Sequence, residues 1–189
     1  MNPLYLTAHY DDLEICAGGT ASRYGGTSIV LYSKSDYGKE NEGQASAAIL
    51  GTTSIEAEHY IGDRDLVAYV DKYVANNVDT IISTSPYDSH PEHQQVAALA
   101  QQVARKNNIN LWYMDHAIPG GYTNSPRPNH FVNTTMHGVH KRAAIRCYKA
   151  ALATYGPKWI QTVKARDEYY GAIHGTAEAE GFITVNTIQ

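Results

Sequence analysis

The stretch that decides the fold occupies residues 4–14 and reads Leu-Tyr-Leu-Thr-Ala-His-Tyr-Asp-Asp-Leu-Glu. Its apolar start predicts a buried β-strand, Leu4–Ala8, and a Gly-Gly-Thr segment at residues 18–20 allows the following helix to approach that strand closely. One histidine and three carboxylates crowd the end of the strand: His9, Asp11, Asp12 and Glu14. Because charge at such a place is costly without a cation, the stretch predicts a divalent metal site, with zinc as the expected ion.

The rest of the chain alternates between strand-like and helix-like patterns. Further strands are predicted at Thr27–Ser33, within Thr52–Tyr60, and at Asp79–Ser83, Ile109–Met114, His130–Val132 and Ala179–Val185. Helices are predicted at Gly18–Arg23, at Gln44–Gly51, from a cap at Asp63, after Pro91, at Met136–Tyr155 and at Pro157–His174. Polar segments between them, Lys34–Gly43 and Asp115–Asn129, are predicted as loops. The alternation predicts an α/β fold with a mostly parallel, doubly wound sheet, in one domain spanning residues 1–189.

A second histidine–carboxylate motif, His-Pro-Glu-His, occupies residues 90–93 and follows the fourth predicted strand. In the commonest doubly wound strand order, 3-2-1-4-5, the first and fourth strands are neighbours. Ligands bind in such sheets at the carboxyl ends of these neighbouring strands, where the order reverses. The topology therefore brings residues 90–93 to the end of the opening stretch.

The residue types of the two motifs point to a metal-dependent hydrolase. His9 and Asp12, three positions apart at a tight turn, can face one ion, and His93 can supply a third ligand. Two histidines and one carboxylate leave open coordination positions, as catalytic zinc sites do, although iron, manganese or nickel also suit such ligands. Asp11 then remains free as a general base, and His90 is placed to stabilise an oxyanion or to protonate a leaving amine.

Each motif also has a purely structural interpretation. Acidic residues before a helix often serve as N-caps, and Pro91 is an ordinary first helical residue. Glu92 and Glu14 are expected to orient neighbouring histidines or to favour the positive end of a helix. Of the remaining histidines, His116 and His130 flank the long loop and are the strongest candidates for further pocket members. A Gly-x-Gly-x-x-Gly pattern is absent from the sequence, which argues against a dinucleotide site.

The overall composition argues against several classes of protein. The 189 residues carry a net charge of −4 and contain no basic cluster, so nucleic acid is not an expected partner. The sequence contains no apolar run near the ~20 residues of a membrane-spanning helix and no signal-peptide pattern, which predicts a cytoplasmic protein without a membrane partner. The two cysteines, Cys16 and Cys147, are too few for a disulfide framework and are predicted to be buried thiols.

These motifs resemble those of the zinc-dependent PIG-L/LmbE-like deacetylase family. That family carries an Ala-His-Pro-Asp-Asp-(x)-Glu motif followed by Gly-Gly-Thr, and a later His-Pro-Asp-His motif. Residues 8–20 match the first, with Tyr10 where proline is usual, and residues 90–93 match the second, with Glu92 where aspartate is usual. Weaker similarities at residues 49–51, 131–134 and 179–182 extend the resemblance over essentially the whole chain.

The resemblance implies a Rossmann-like three-layer sandwich and a specific division of roles. It implies His9, Asp12 and His93 as zinc ligands, Asp11 as the general base and His90 as the residue that stabilises the oxyanion. The implied substrate is a small acetylated molecule of the N-acetylglucosamine type, and the implied assembly is a homo-oligomer, a trimer or hexamer. An arginine that the family often carries after its second strand is missing, and Lys39 is the nearest substitute.

Two other functions stay open at this point. A hydratase or lyase could use the same zinc site, because metal-activated water also adds to electrophiles other than amides. A metal-binding protein without catalysis is the third interpretation, although a binding site alone would not need Asp11.

Overall fold

A computed structural model of the chain describes residues 1–32, 39–57, 66–75, 77–116 and 126–185. Its strands are β1 (Pro3–Thr7), β2 (Thr27–Val30), β3 (Thr53–Glu56), β4 (Thr80–Ser83), β5 (Asn110–Met114), β6 (His130–Asn133) and β7 (Ala179–Val185). Its helices are α1 (Asp12–Tyr24), α2 (Glu40–Leu50), α3 (Leu66–Val74), α4 (Pro91–Asn107), α5 (Gly138–Ile145), α6 (Lys149–Tyr155) and α7 (Lys158–His174).

The strands form one sheet in the order β3-β2-β1-β4-β5-β7-β6. The first five strands of this order are parallel, which confirms the predicted 3-2-1-4-5 arrangement. The sheet continues with β7, which runs antiparallel to β5, and ends with β6, which pairs antiparallel with β7 and therefore runs in the direction of the first five strands. Strand β1 pairs with both β2 and β4, so the residues that follow β1 and β4 emerge side by side.

Hydrophobic cores on both faces of the sheet make the molecule a three-layer α/β sandwich. Leu4 and Leu6 of β1 point to the core shared with α3 and α4, whereas Tyr5 points to the core shared with the other helices. This alternation is the two-residue period of a strand, and burial on both faces is typical of parallel sheets. The predicted Rossmann-like fold class is therefore confirmed.

Several predicted element boundaries are wrong. Helix α1 begins at Asp12, earlier than the predicted start at Gly18, because the Asp11 carbonyl already accepts a bond from the Ile15 N–H at 2.9 Å. Ala17 has non-helical dihedrals and kinks α1, so the predicted helix from Gly18 corresponds to its second segment. The predicted helix Met136–Tyr155 is two helices, since Tyr148 has non-helical dihedrals and its ring is buried in the core.

Other corrections concern the loops and one thiol. The described end of the predicted polar loop Lys34–Gly43 belongs to α2, which begins at Glu40, and β2 ends at Val30. Cys147 is only half-buried, whereas Cys16 is buried. The predicted helix cap at Asp63 lies outside the described residues.

The Gly-Gly-Thr segment of α1 is held by a buried clamp. Glu180 of β7 accepts the backbone N–H of Gly19 at 2.8 Å and of Thr20 at 2.7 Å. Lys141 of α5 is fully buried; its ammonium donates to Glu180 at 2.6 Å and forms an ion pair with Asp167 of α7 at 2.7 Å. The clamp thus joins α1 to three elements from the far end of the chain.

We expect Gly19→Ala to lower the free energy of unfolding by about 1–3 kcal/mol, because overpacking a tight contact forces backbone shifts. A Cβ at this position would lie 2.7 Å from the Thr134 side chain. Urea unfolding provides the measurement, with exposed Gln102→Ala on α4 as the control. Equal stabilities of the two variants would contradict the close-packing role.

Candidate metal centre

Three side chains converge where β1 and β4 end. His9, Asp12 and His93 place one ligand atom each within 4.8 Å of one another. His9 Nδ1 lies 3.2 Å from His93 Nε2, and His93 Nε2 lies 3.3 Å from Asp12 Oδ1. The parallel topology therefore joins residues 84 positions apart in the sequence, as the strand order predicts.

The carboxylate of Asp12 is fixed by the turn between β1 and α1. Its Oδ2 accepts the backbone N–H of Ala8 at 3.0 Å and of His9 at 2.8 Å. Oδ1 is the oxygen that faces His93. Burial alone would raise the pKa of Asp12, but His93 and His116 hold it well below its usual value. Asp12 is thus a buried carboxylate in its charged form, which a cation would balance.

Each histidine of the cluster has a carboxylate at its other ring nitrogen. Glu92 Oε2 lies 2.6 Å from His9 Nε2, and Asp88 Oδ2 lies 2.6 Å from His93 Nδ1. Histidines that bind metals usually donate their second ring N–H to such a partner, which fixes the tautomer and the ring orientation. This pairing leaves Nδ1 of His9 and Nε2 of His93 as the atoms that face an ion. The donor set therefore fits a divalent metal.

Of these two carboxylates, the sequence pointed only to Glu92. Glu92 was expected to orient His90 or a ligand histidine, and the structure pairs it with His9. The sequence alone assigns no role to Asp88, although its position two residues before His90 is typical of an aspartate that accepts a local backbone hydrogen bond. Its Oδ1 accepts the His90 N–H at 2.9 Å, a local bond typical of aspartate before a helix.

Asp11 lies beside the cluster without joining it. It occupies the N-cap position of α1 with φ 96°, a left-handed conformation that aspartate adopts only rarely. Burial, Asp12 and Glu14 raise its pKa well above the usual value. A strained backbone and a carboxylate of raised basicity are both typical of functional sites.

His90 is the most exposed histidine of the group, with 49% of its side chain accessible. Its ring lies 4.9 Å from the rings of both His9 and His93. Nδ1 accepts the Glu92 N–H at 3.3 Å, which leaves Nε2 as the proton-bearing nitrogen of the neutral ring. Burial, His93 and His9 lower the pKa of His90, so these surroundings favour the neutral imidazole.

Solved structures share this architecture, although no protein-family model matches the sequence. The N,N'-diacetylchitobiose deacetylase from Pyrococcus horikoshii superposes with a TM-score of 0.74 at 17% identity, over 98% of this chain and 84% of the deacetylase. The A40926 pseudoaglycone deacetylase Dbv21 superposes with a TM-score of 0.71 at 16% identity, over 100% and 98% of the two chains. This chain has the fold of these deacetylases.

The same fold also occurs in a hydratase. GalB, the 4-carboxy-2-hydroxymuconate hydratase from Pseudomonas putida KT2440, superposes with a TM-score of 0.78 at 20% identity, over 98% of this chain and 96% of the hydratase. The presence of PIG-L/LmbE-type deacetylases among the structural neighbours confirms the fold that the sequence motifs predict. No helix within the described ranges is long and apolar enough to span a membrane.

Within this deacetylase fold, Tyr10 and Glu14 have structural partners on the α2 side of the site. Tyr10 is buried against Gly43, where a Cβ would lie 2.4 Å from its ring, and its hydroxyl donates to Glu56 at 3.2 Å. Glu14 is buried and accepts a hydrogen bond from the Ser46 hydroxyl, so its role extends beyond the helix-end electrostatics expected from the sequence.

The two histidines at the ends of the long loop separate in the structure. His116 is buried beside Asp12, with Nε2 3.4 Å from Asp12 Oδ1. His130 instead packs on Trp112, with the two ring centres 4.2 Å apart. Only His116 therefore adjoins the cluster.

Proposed function

We propose that this chain is a metal-dependent hydrolase that removes an N-acetyl group from an N-acetylglucosamine-type or other small acetylated substrate. The observation that carries the proposal is the convergence of His9, Asp12 and His93, with a carboxylate behind each histidine and Asp11 left free beside them. The shared fold with sugar- and antibiotic-related deacetylases supports the same activity.

In this proposal His9, Asp12 and His93 hold the metal, with Zn²⁺ as the expected ion. A divalent metal at such a site supplies Lewis acidity and lowers the pKa of water. Glu92 and Asp88 keep the two imidazoles in the tautomers and orientations that binding needs.

In this proposal, Asp11 and His90 have different roles in proton transfer and charge stabilisation. Asp11 takes a proton from the attacking water, because its carboxylate stands next to Asp12 and contributes no atom to the metal cluster. His90 donates from Nε2 to the oxyanion that develops on the amide carbonyl. The water oxygen bonds to the acetyl carbon and the carbon–nitrogen bond breaks, so acetate and a free amine are released after the amine gains a proton.

A hydratase is the second candidate function, because the GalB hydratase has the same fold and a comparable TM-score. In that reaction Asp11 would again accept a proton from water, but the water would add to a carbon–carbon double bond. No amine or acetate would then be released.

One screen separates the candidates. Zinc-loaded protein is incubated with N-acetylated amino sugars, and free amine and acetate are measured; an unsaturated hydroxy-dicarboxylate is tested in parallel by its ultraviolet absorbance. We expect amine and acetate in equal amounts. Loss of absorbance alone would favour the hydratase, and stoichiometric metal without either reaction would favour a non-catalytic binding protein.

We also propose that the chain forms a homo-oligomer, a trimer or hexamer, as the family resemblance implies. Light scattering coupled to size-exclusion chromatography measures the molar mass directly. A mass of about 20.8 kDa, that of one chain, would contradict this part of the proposal.

We expect His93→Ala to bind zinc at least about 100-fold more weakly, because it removes a ligand and leaves Asp12 and Asp88 as unbalanced buried carboxylates. Chelator competition measures the affinity, and elemental analysis measures the metal content. His140→Ala, an exposed histidine that contacts Ser22, is the control. Unchanged metal content in His93→Ala would remove His93 from the ligand set.

A further inference from the structure

We infer that His116 is a positioning residue of the metal centre, whose Nε2–H holds the metal-facing oxygen of Asp12 without binding the ion itself. The inference rests on the proposed function, in which His9, Asp12 and His93 are the ligands. It adds no ligand to that set, so the open coordination position of a catalytic metal site is kept.

The two carboxylate oxygens of Asp12 have different surroundings. Oδ2 accepts the backbone N–H groups of Ala8 and His9, which use both of its lone pairs. Oδ1 lies 3.3 Å from His93 Nε2 and 3.4 Å from His116 Nε2. Oδ1 is therefore the oxygen that remains for the ion, and the ring of His116 approaches that same atom.

The position of His116 suits a donor to Asp12 better than a further ligand. The ligand atoms of His9, Asp12 and His93 all lie within 4.8 Å of one another, whereas within the described residues His116 joins such a group with Asp88 and His93 instead. Its Nδ1 is 3.7 Å from Asp88 Oδ2, farther than its Nε2 is from Asp12. We therefore assign the proton of the neutral ring to Nε2.

The fold holds His116 at this place. It follows β5, the neighbour of β4, and its side chain is only 6% exposed. The carbonyl of the preceding residue, Asp115, accepts a hydrogen bond from Arg166 of α7 at 3.1 Å. Arg166 also donates to the Ile15 carbonyl of α1. One buried guanidinium thus joins the backbone that carries His116 to the helix that begins with Asp12.

A donor at Oδ1 fixes the part of Asp12 that the turn leaves unrestrained. The backbone bonds hold only Oδ2, so the plane of the carboxylate depends on what holds the other oxygen. Carboxylates that bind metals usually accept such a hydrogen bond, and removing the donor typically weakens metal binding about 10- to 100-fold. Loss of the His116 donor would therefore let Oδ1 turn away from the ion.

The test compares two side chains of nearly the same shape in the full-length protein. The amide nitrogen of glutamine takes about the place of imidazole Nε2, whereas methionine has no N–H donor. We expect His116→Gln to bind Zn²⁺ nearly as tightly as the wild type, and His116→Met to bind it at least about tenfold more weakly. Chelator competition measures the affinities, and the exposed His140→Ala is the control.

Two further measurements make the outcome decisive. Urea unfolding of the metal-free variants should give equal stabilities for His116→Gln and His116→Met, so that a difference in affinity reports on the donor and not on folding. Equal Zn²⁺ affinities of these two variants, whether both strong or both weak, would overturn the inference and leave the proposed function intact. Full retention of Zn²⁺ by His93→Ala would overturn both.

Discussion

Replacing Asp11 by alanine is expected to lower kcat on a verified substrate about 100- to 10,000-fold while the protein keeps its metal. Asp11 contributes no atom to the cluster of His9, Asp12 and His93, so the metal ligands remain in the variant. The variant lacks the Asp11 carboxylate, whose pKa is raised by burial and by the charges of Asp12 and Glu14. We therefore expect Asp11→Ala to lose turnover but keep its metal, whereas His93→Ala loses both.

A second variant separates the loss of the carboxylate from any effect of backbone strain at position 11. Asp11 has φ 96°, where alanine is strained but asparagine is tolerated, so Asp11→Asn loses the base without adding strain. Steady-state kinetics with elemental analysis is the measurement, and Glu168→Ala on the exposed face of α7 is the control. Near-wild-type turnover in Asp11→Asn would show that another group accepts the proton.

The second large effect concerns stability. We expect Lys141→Met to lower the free energy of unfolding by about 3–5 kcal/mol, because it leaves Glu180 buried without its cation and leaves Asp167 with Arg166 as its remaining ion-pair partner. A loss of this size is a large fraction of the 5–15 kcal/mol, roughly, that stabilises a typical domain. Urea unfolding followed by circular dichroism measures it.

Lys164→Met is the matched control for this variant. Lys164 pairs with Glu168 at 2.8 Å one helical turn away on α7, but both side chains are about half exposed. Such a pair contributes about 0.5 kcal/mol or less, because water screens both charges. Equal losses in the two variants would mean that burial does not determine the strength of the Lys141 interactions.

Much of the fold and the centre of the candidate site could be predicted from the sequence because both follow from local pattern and topology. The apolar run of Leu4–Ala8 and the carboxylates after it mark a strand end without any knowledge of tertiary contacts. The parallel strand order then determines which distant motif lies beside it, which is why the structure brings His93 next to His9 and Asp12.

The remaining features depend on contacts that no local pattern encodes. No local pattern marks Lys141 as a buried residue, and only the proximity of Glu180 and Asp167 from other elements explains its burial. The break between α5 and α6 has the same origin, because core packing of Tyr148 overrides a continuous helical pattern. Likewise, Glu92 reaches His9 across two elements, a choice between partners that spacing alone left open.

The Glu180 clamp also makes the anchoring of α1 depend on residues near the carboxyl end of the sequence. The helix that carries Asp12 is anchored at Gly19 and Thr20 by a residue 160 or more positions later in the sequence, on strand β7. A nascent chain that extends only to the end of β5 contains His9, Asp12 and His93, but it lacks Glu180, whose side chain anchors α1. A chain that ends before Glu180 therefore lacks the buried anchor of the helix that carries Asp12.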